Sequence, residues 1–126
     1  PLSIIDKVEG IDFEREEPSI RVIGLEIAKK LHDQGHVFVD ARAQEYLSNG
    51  IIPNAIFNNN FDSLAKQISD IISLNTAFVV YCSDDDCGSS EELAYELQGW
   101  GFNNILVFTG GWKKWIEAEL EIGSYE

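Results

Sequence analysis

The sequence predicts an α/β fold with a parallel sheet buried on both faces, and two patterns support this prediction. Short runs of apolar residues, such as those over residues 77–81 and 104–108, show no alternation with polar residues, which is typical of strands covered by helices on both sides. These runs alternate with longer segments of helical period, as in βαβ units. A length of 126 residues fits one domain, and a hydrophobic content of 44% is that of a folded protein.

The start of the chain differs from the remainder in composition. Residues 1–19 have weak periodicity and are predicted to form an acidic arm, with a short edge strand over residues 8–13, while residues 20–126 are predicted to form the domain. The chain begins with Pro1 instead of Met, from which we expect that it is trimmed from a longer precursor. The sequence leaves the compartment open between cytoplasm and periplasm.

The elements in the first half of the domain follow from periodicity. Between residues 22 and 32, apolar side chains recur at three- and four-residue steps and predict a helix. A short apolar strand over residues 37–39 ends at Asp40. One helical turn is predicted over residues 45–47 and another short strand over residues 55–57.

The second half of the chain gives more regular signals. Asn60 is predicted to cap the helix that follows it, and Ser89 with Glu92 fits a capping box. The predicted elements are a helix over 61–73, a strand over 77–81, a helix over 90–98, a strand over 104–108 and a helix over 112–119.

The charge balance excludes some classes of partner. The net charge is −13, from 22 acidic and 9 basic residues, which argues against nucleic acid and anionic membranes as partners. Simple solubility explains this charge better than a specific basic partner does. The apolar runs are much shorter than the ~20 residues that a membrane helix needs, so direct membrane insertion of this segment is not expected.

The candidate nucleophile is Cys82, which stands between a predicted strand and a predicted helix. In this arrangement, backbone N–H groups of the loop and of the helix amino terminus favour the thiolate and bind anions beside it. The loop that would bind the substrate consists of Ser83, Asp84, Asp85, Asp86, Cys87, Gly88 and Ser89.

Four motifs in order resemble those of the rhodanese domain family. Residues 37–42 are similar to its strand–Asp–x–Arg element, and residues 50–56 to its Gly-His-Ile-Pro-Gly-Ala-Ile stretch, apart from two positions. Residues 79–82 resemble the strand that carries the catalytic cysteine. Residues 101–115 resemble the closing strand, the Gly-Gly-Trp motif and the final helix. Together the motifs span most of the chain.

This resemblance implies a central five-stranded, mostly parallel sheet flanked by helices, and sulfurtransferase activity. Cys82 would take the sulfane sulfur of thiosulfate or a related donor, become a persulfide, and pass the sulfur to a thiol or to cyanide. The implied partners are therefore a small sulfur donor and a thiol acceptor, or a protein persulfide. The resemblance implies no metal or other cofactor. It makes Asp40 and Arg42 structural residues near the site, although catalysis by Arg42 is an alternative.

The loop itself departs from the family pattern. It is about two residues longer than usual, and no arginine or lysine lies between Cys82 and Gln98 to clamp a phosphate, which argues against a phosphatase. The three aspartates of the loop disfavour a thiolate and repel thiosulfate. We therefore expect a weak thiosulfate enzyme, or one that uses a different donor.

Cys87 leaves two interpretations open. It is either a resolving thiol, which forms a disulfide with Cys82 or accepts its sulfur, or a small residue packed under the loop. The first interpretation also supports a competing function, a catalytically weak binding or redox-sensing module that uses the Cys82/Cys87 pair. A zinc site with His32 or His36 is disfavoured, because the histidines lie about fifty residues away without the spacing of ligands.

Overall fold

The protein is described over residues 2–125 by a computed structural model, in which five strands form one sheet. Pro1 and Glu126, the outer ends of the two predicted segments, lie outside the described residues. The strands are β1 (Ser3–Ile5), β2 (Ser19–Ile23), β3 (Phe38–Asp40), β4 (Phe78–Tyr81) and β5 (Asn104–Phe108). The α-helices are α1 (Leu25–Asp33), α2 (Phe61–Ser69), α3 (Ser89–Trp100) and α4 (Gly111–Glu117). Two short 3₁₀ helices span Val8–Gly10 and Gln44–Asn49.

The sheet has the strand order β1–β2–β5–β4–β3, and every neighbouring pair is parallel. This confirms the predicted α/β class with a five-stranded sheet. In the register, Asp40 lies opposite Tyr81, and Tyr81 lies opposite Phe108. The carboxyl ends of β3, β4 and β5 therefore meet at one edge, where ligands bind in open α/β sheets.

A separate apolar core covers each face of the sheet. The side chains of Ile27, Leu31 and Trp115, from α1 and α4, pack on one face. Those of Leu64 and Leu97, from α2 and α3, pack on the other, and all five are at most 5% exposed. Covering both faces explains why β4 and β5 are buried along their whole length and lack polar alternation.

The structure corrects the prediction for the start of the chain. The edge strand is β1, and the predicted strand over residues 8–13 is replaced by the 3₁₀ helix Val8–Gly10. Because β1 pairs with β2, residues of the acidic segment complete the sheet. The boundary between residues 19 and 20 stays a prediction. The predicted helix over 22–32 was wrong in its first turn, since Val22 and Ile23 belong to β2.

Later elements agree more closely, with three differences. Residues 55–57 form no strand, only an isolated bridge between Ile56 and Val39. The helix after Asn60 ends at Ser69 instead of residue 73, although the Asn60 side chain caps it by accepting a hydrogen bond from the Ser63 amide at 2.9 Å. The predicted capping box is absent at α3, where Gly88 is the N-cap and no side chain caps the helix.

Within residues 2–125, no helix has both the length and the apolar character needed to cross a bilayer.

Candidate active site

Cys82 is the first residue after β4, at the carboxyl edge of the sheet. Its side chain is only 3% exposed. Its carbonyl oxygen accepts a hydrogen bond from the Trp112 amide at 2.9 Å, and the Ser83 carbonyl accepts one from the Lys113 amide at 2.8 Å. The start of α4 therefore holds the first residues of the loop in place.

The structure joins Cys82 to Cys87 by a disulfide that closes the loop, with Cα atoms 6.1 Å apart. Cys87 is half-buried, in contrast to its partner. The alternative interpretation of Cys87, a small residue packed under the loop without a sulfur partner, does not fit this disulfide. The disulfide form has no thiol at either position, so any nucleophilic chemistry at Cys82 requires prior reduction.

The acidic loop is folded around Asp84. The side-chain carboxylate of Asp84 accepts a hydrogen bond from the Asp86 amide at 3.0 Å, and the backbone carbonyl of Asp84 accepts one from the Cys87 amide at 3.1 Å. In this disulfide form, the amides of Asp86 and Cys87 therefore donate their hydrogen bonds within the loop. Both belong to the set of loop amides that we expected to bind a substrate. The side chains of Asp85 and Asp86 are exposed to solvent.

The amino terminus of α3 carries further negative charge. Glu91 and Glu92 lie in its first turn, close in sequence to the exposed Gly88 and Ser89 that end the loop. Carboxylates at this position stabilise the helix, because they complement the positive end of its dipole. For the same reason they weaken the attraction of this helix terminus for an anionic substrate.

Asp40 and Arg42 form a buried ion pair beside the loop. The side chains are 0% and 2% exposed, and Arg42 Nη2 lies 2.8 Å from Asp40 Oδ2. Asp40 also accepts a hydrogen bond from the Arg42 amide at 2.9 Å. Arg42 Nη2 donates a second bond to the Gly50 carbonyl at 2.7 Å. The Asp40 carboxylate and backbone carbonyls accept the hydrogen bonds of the guanidinium. Arg42 therefore stabilises the structure beside the site.

Tyr81 and Trp112 belong to the same support, and the sequence analysis missed both roles. The Tyr81 hydroxyl accepts a bond from the Ile52 amide at 3.1 Å and lies close to the Asp40 carboxylate. Burial, followed by the nearby Asp40 charge, raises the pKa of Tyr81 well above its usual range. The ring of Trp112 covers Arg42, whose guanidinium carbon lies 4.6 Å from the ring centroid. The apolar strand run concealed the first role, and the resemblance placed Trp112 only within the Gly-Gly-Trp motif.

A cleft of about 480 Å³ opens beside this support. Its walls include the chain around Arg42, Phe57 and Asn59 on one side and Ser89 with Leu93 of α3 on the other. Neither cysteine lines it. Within residues 2–125, no group of three or more His, Cys, Asp or Glu side chains is arranged to hold a metal ion.

Comparisons with known proteins agree with this geometry. The family model described as a rhodanese-like domain matches residues 25–118. Two curated relatives are both named thiosulfate sulfurtransferase GlpE. One, from Pseudomonas savastanoi pv. phaseolicola, is 31% identical over 93 residues, covering 71% of this chain and 81% of the relative. The other, from Pseudomonas syringae pv. syringae, is 32% identical over 90 residues with the same coverage.

A solved structure supports the fold alone. The BH2092 protein from Bacillus halodurans superposes with a TM-score of 0.67 at 18% identity, covering 86% of this chain and 77% of that one.

Proposed function

The chain belongs to the rhodanese-like domain family, and from this premise we propose that it is a sulfurtransferase that forms a persulfide on Cys82. The observation that carries the proposal is the position of Cys82, directly after β4 and at the start of the loop into α3. The relatives named thiosulfate sulfurtransferase make sulfane-sulfur transfer the activity to test first.

The proposed reaction has two half-reactions. In the reduced protein, the Cys82 thiolate attacks the sulfane sulfur of a donor. With thiosulfate, the S–S bond breaks, sulfite leaves with the electron pair, and Cys82 becomes a persulfide. A thiol or cyanide then attacks the outer sulfur and restores the Cys82 thiolate. Backbone amides of residues 83–89 and the amino terminus of α3 would stabilise the charged sulfur.

The acidic surroundings bear on the choice of donor. Asp85 and Asp86 are exposed on the loop, and Glu91 and Glu92 follow in the first turn of α3. These carboxylates disfavour the approach of a dianion such as thiosulfate. We therefore expect slow reaction with thiosulfate, and faster reaction with a less charged donor or a protein persulfide.

The experiment uses the Cys87→Ser protein, in which a persulfide on Cys82 has no neighbouring thiol. The protein is reduced, freed of reductant under argon and treated with thiosulfate, and its intact mass is measured with and without cyanide. We expect a species one sulfur heavier, which cyanide removes and which the additional change Cys82→Ala abolishes. No adduct with thiosulfate, an inorganic polysulfide or cysteine persulfide would contradict the proposal.

A redox-sensing module is the second candidate, and the Cys82–Cys87 disulfide favours it. In that case, reversible oxidation of the pair is the function and sulfur transfer is absent. Dilute peroxide would then make the reduced protein two hydrogens lighter, while every sulfur donor would leave the Cys87→Ser protein without an adduct.

A further inference from the structure

We infer that Cys87 discharges the Cys82 persulfide as hydrosulfide, so that the protein releases sulfide and needs a dithiol to be reset. This inference rests on the proposed persulfide chemistry and adds a second nucleophile to it. The observations that carry it are the bond between the two sulfurs, the unequal burial of the two cysteine residues and the charge of the loop.

The loop geometry keeps the two sulfur atoms close together. Only four residues separate the cysteines, and the turn from Asp84 to Cys87 brings the second sulfur back onto the first. The backbone is fixed on both sides of the loop, by the Trp112 bond to the Cys82 carbonyl and by α3, which begins at Ser89. After reduction, Cys87 therefore stays near Cys82 at an effective concentration on the order of millimolar or higher.

The unequal burial of the two cysteines favours Cys87 as the nucleophile that reaches the persulfide. Cys82 is 3% exposed, so an acceptor from solution has to reach a nearly buried residue. Cys87 already touches that sulfur and is itself half-buried. In the resulting disulfide, Cys87 is the more exposed of the two residues, so an external dithiol should attack its sulfur, with Cys82 as the leaving thiolate.

The charges of the loop favour the same route. Asp85 and Asp86 repel anionic acceptors such as sulfite or a thiolate, whereas Cys87 does not approach from solution. Hydrosulfide is an anion, so the same carboxylates oppose its return. The charges of the loop therefore oppose attack on the persulfide by an external anionic acceptor more than they oppose attack by Cys87.

The step is balanced without an outside oxidant. The Cys87 thiolate attacks the inner sulfur of the protonated Cys82 persulfide, a Cys82–Cys87 bond forms, and the bond to the outer sulfur breaks. The outer sulfur leaves as hydrosulfide with the electron pair and the persulfide proton. The sulfane sulfur is thus reduced to sulfide while two thiol sulfurs are oxidised to a disulfide. A dithiol then reduces the disulfide by two exchange steps and becomes a disulfide itself.

The test is a single turnover under argon without added thiol. Reduced, reductant-free protein receives an excess of thiosulfate, and sulfite, sulfide trapped as its zinc salt, free thiols and intact mass are measured. We expect about one sulfite and about one sulfide per protein, and a product two hydrogens lighter than the reduced chain. Cys87→Ser and Cys87→Ala should release sulfite, hold the added sulfur and release almost no sulfide. Reduced protein without donor should keep both thiols.

The outcomes separate this inference from the proposed function. If the wild-type protein releases sulfite but keeps an added sulfur without releasing sulfide, discharge by Cys87 is wrong, while sulfur transfer to the protein stands. If neither the wild type nor the Cys87 variants release sulfite or gain sulfur with any donor, the proposed function itself fails. With dithiothreitol present, the wild type should turn over repeatedly and return to the reduced mass between turnovers.

Discussion

At the scale of single residues, the buried network of Asp40, Arg42 and Tyr81 explains how the carboxyl edge is held together. A buried charge that loses its partner costs about 3–5 kcal/mol, and here the Gly50 carbonyl also accepts a bond from Arg42, while Tyr81 lies close to Asp40. The guanidinium also lies under the Trp112 ring, and the Trp112 amide holds the Cys82 carbonyl. The network therefore connects the pair to the loop without directing a positive charge at the sulfurs.

The buried phenol of Tyr81 predicts an alkaline loss of stability. Its pKa is raised in the folded protein, so the folded state keeps the proton that the unfolded state loses above pH of about 10. The stabilisation is complete below that pH and decreases as the pH rises towards the folded pKa. Between pH 10 and 11, we expect the free energy of unfolding of the oxidised wild type to fall about 1 kcal/mol further than that of Tyr81→Phe.

The measurement is urea unfolding at several pH values. The difference between the two slopes matters, because other groups titrate in both proteins alike. Tyr95→Phe, which removes an exposed phenol from α3, is the matched control and should lose stability in parallel with the wild type. Parallel curves for the wild type and Tyr81→Phe would show that burial does not protect this proton.

At the scale of elements, the site depends on how closely α4 approaches the end of β4. Gly111 has φ +55°, and a Cβ atom at this position would overlap the Cys82 carbonyl oxygen. Only a residue without a side chain permits this approach and this backbone conformation at once. Gly111 therefore sets the distance between α4 and the loop that follows Cys82.

Substituting Gly111→Ala should destabilise the fold by about 2–4 kcal/mol, from the left-handed backbone and from displacement of the loop. Gly99→Ala is the matched control, because its Cβ would meet no atom within 4 Å and it lies in α3. That change should be neutral or stabilise by up to about 1 kcal/mol. Urea unfolding of both oxidised proteins measures the difference. A Gly111→Ala protein as stable as the wild type would mean that α4 can move away from the loop at little cost.

The errors in the predicted elements have local causes. Val22 and Ile23 fit a helical step from Ile27, yet they belong to β2, because a short buried strand and one apolar turn of helix look alike in sequence. Ser89 resembled a capping residue, but Gly88 is already helical, with φ −83° and ψ −6°, and so Ser89 lies inside α3. Residues 55–57 lack a ladder because only Ile56 pairs with β3, through the single bridge to Val39.

Those parts of the candidate site that are consecutive in sequence were predictable, whereas contacts between residues far apart in the chain were not. The strand, the thiol and the loop follow one another in sequence, so Cys82 and residues 83–89 could be identified together. The contacts of Tyr81 with Ile52, and of Trp112 with Arg42, join residues that lie far apart in the chain. Periodicity reports the burial of such side chains but not their polar partners.

At the scale of the whole molecule, the net charge of −13 and the local carboxylates act in the same direction on an anionic donor. The long-range part is screened within about 8 Å at physiological salt, so the nearest charges dominate. The exposed pair Asp85 and Asp86 lies on the loop that follows Cys82, whereas Glu16 and Glu17 lie just before β2, at the amino ends of the strands. The two pairs therefore allow local repulsion to be separated from net charge.

Neutralising the loop should accelerate reaction with thiosulfate specifically. Two unit charges about 8 Å from a dianion, screened by salt, amount to about 1 kcal/mol. We expect Asp85→Asn with Asp86→Asn to raise the second-order rate constant for sulfite release about fivefold at physiological salt, with a larger gain at lower salt and a smaller one as salt is added. Glu16→Gln with Glu17→Gln gives the same net charge and should change this rate constant less than twofold, roughly the limit set by screening. With an uncharged organic trisulfide as donor, both variants should react at the rate of the wild type. An equal gain in rate with that donor would mean that the substitutions act through the structure of the loop and not through its charge.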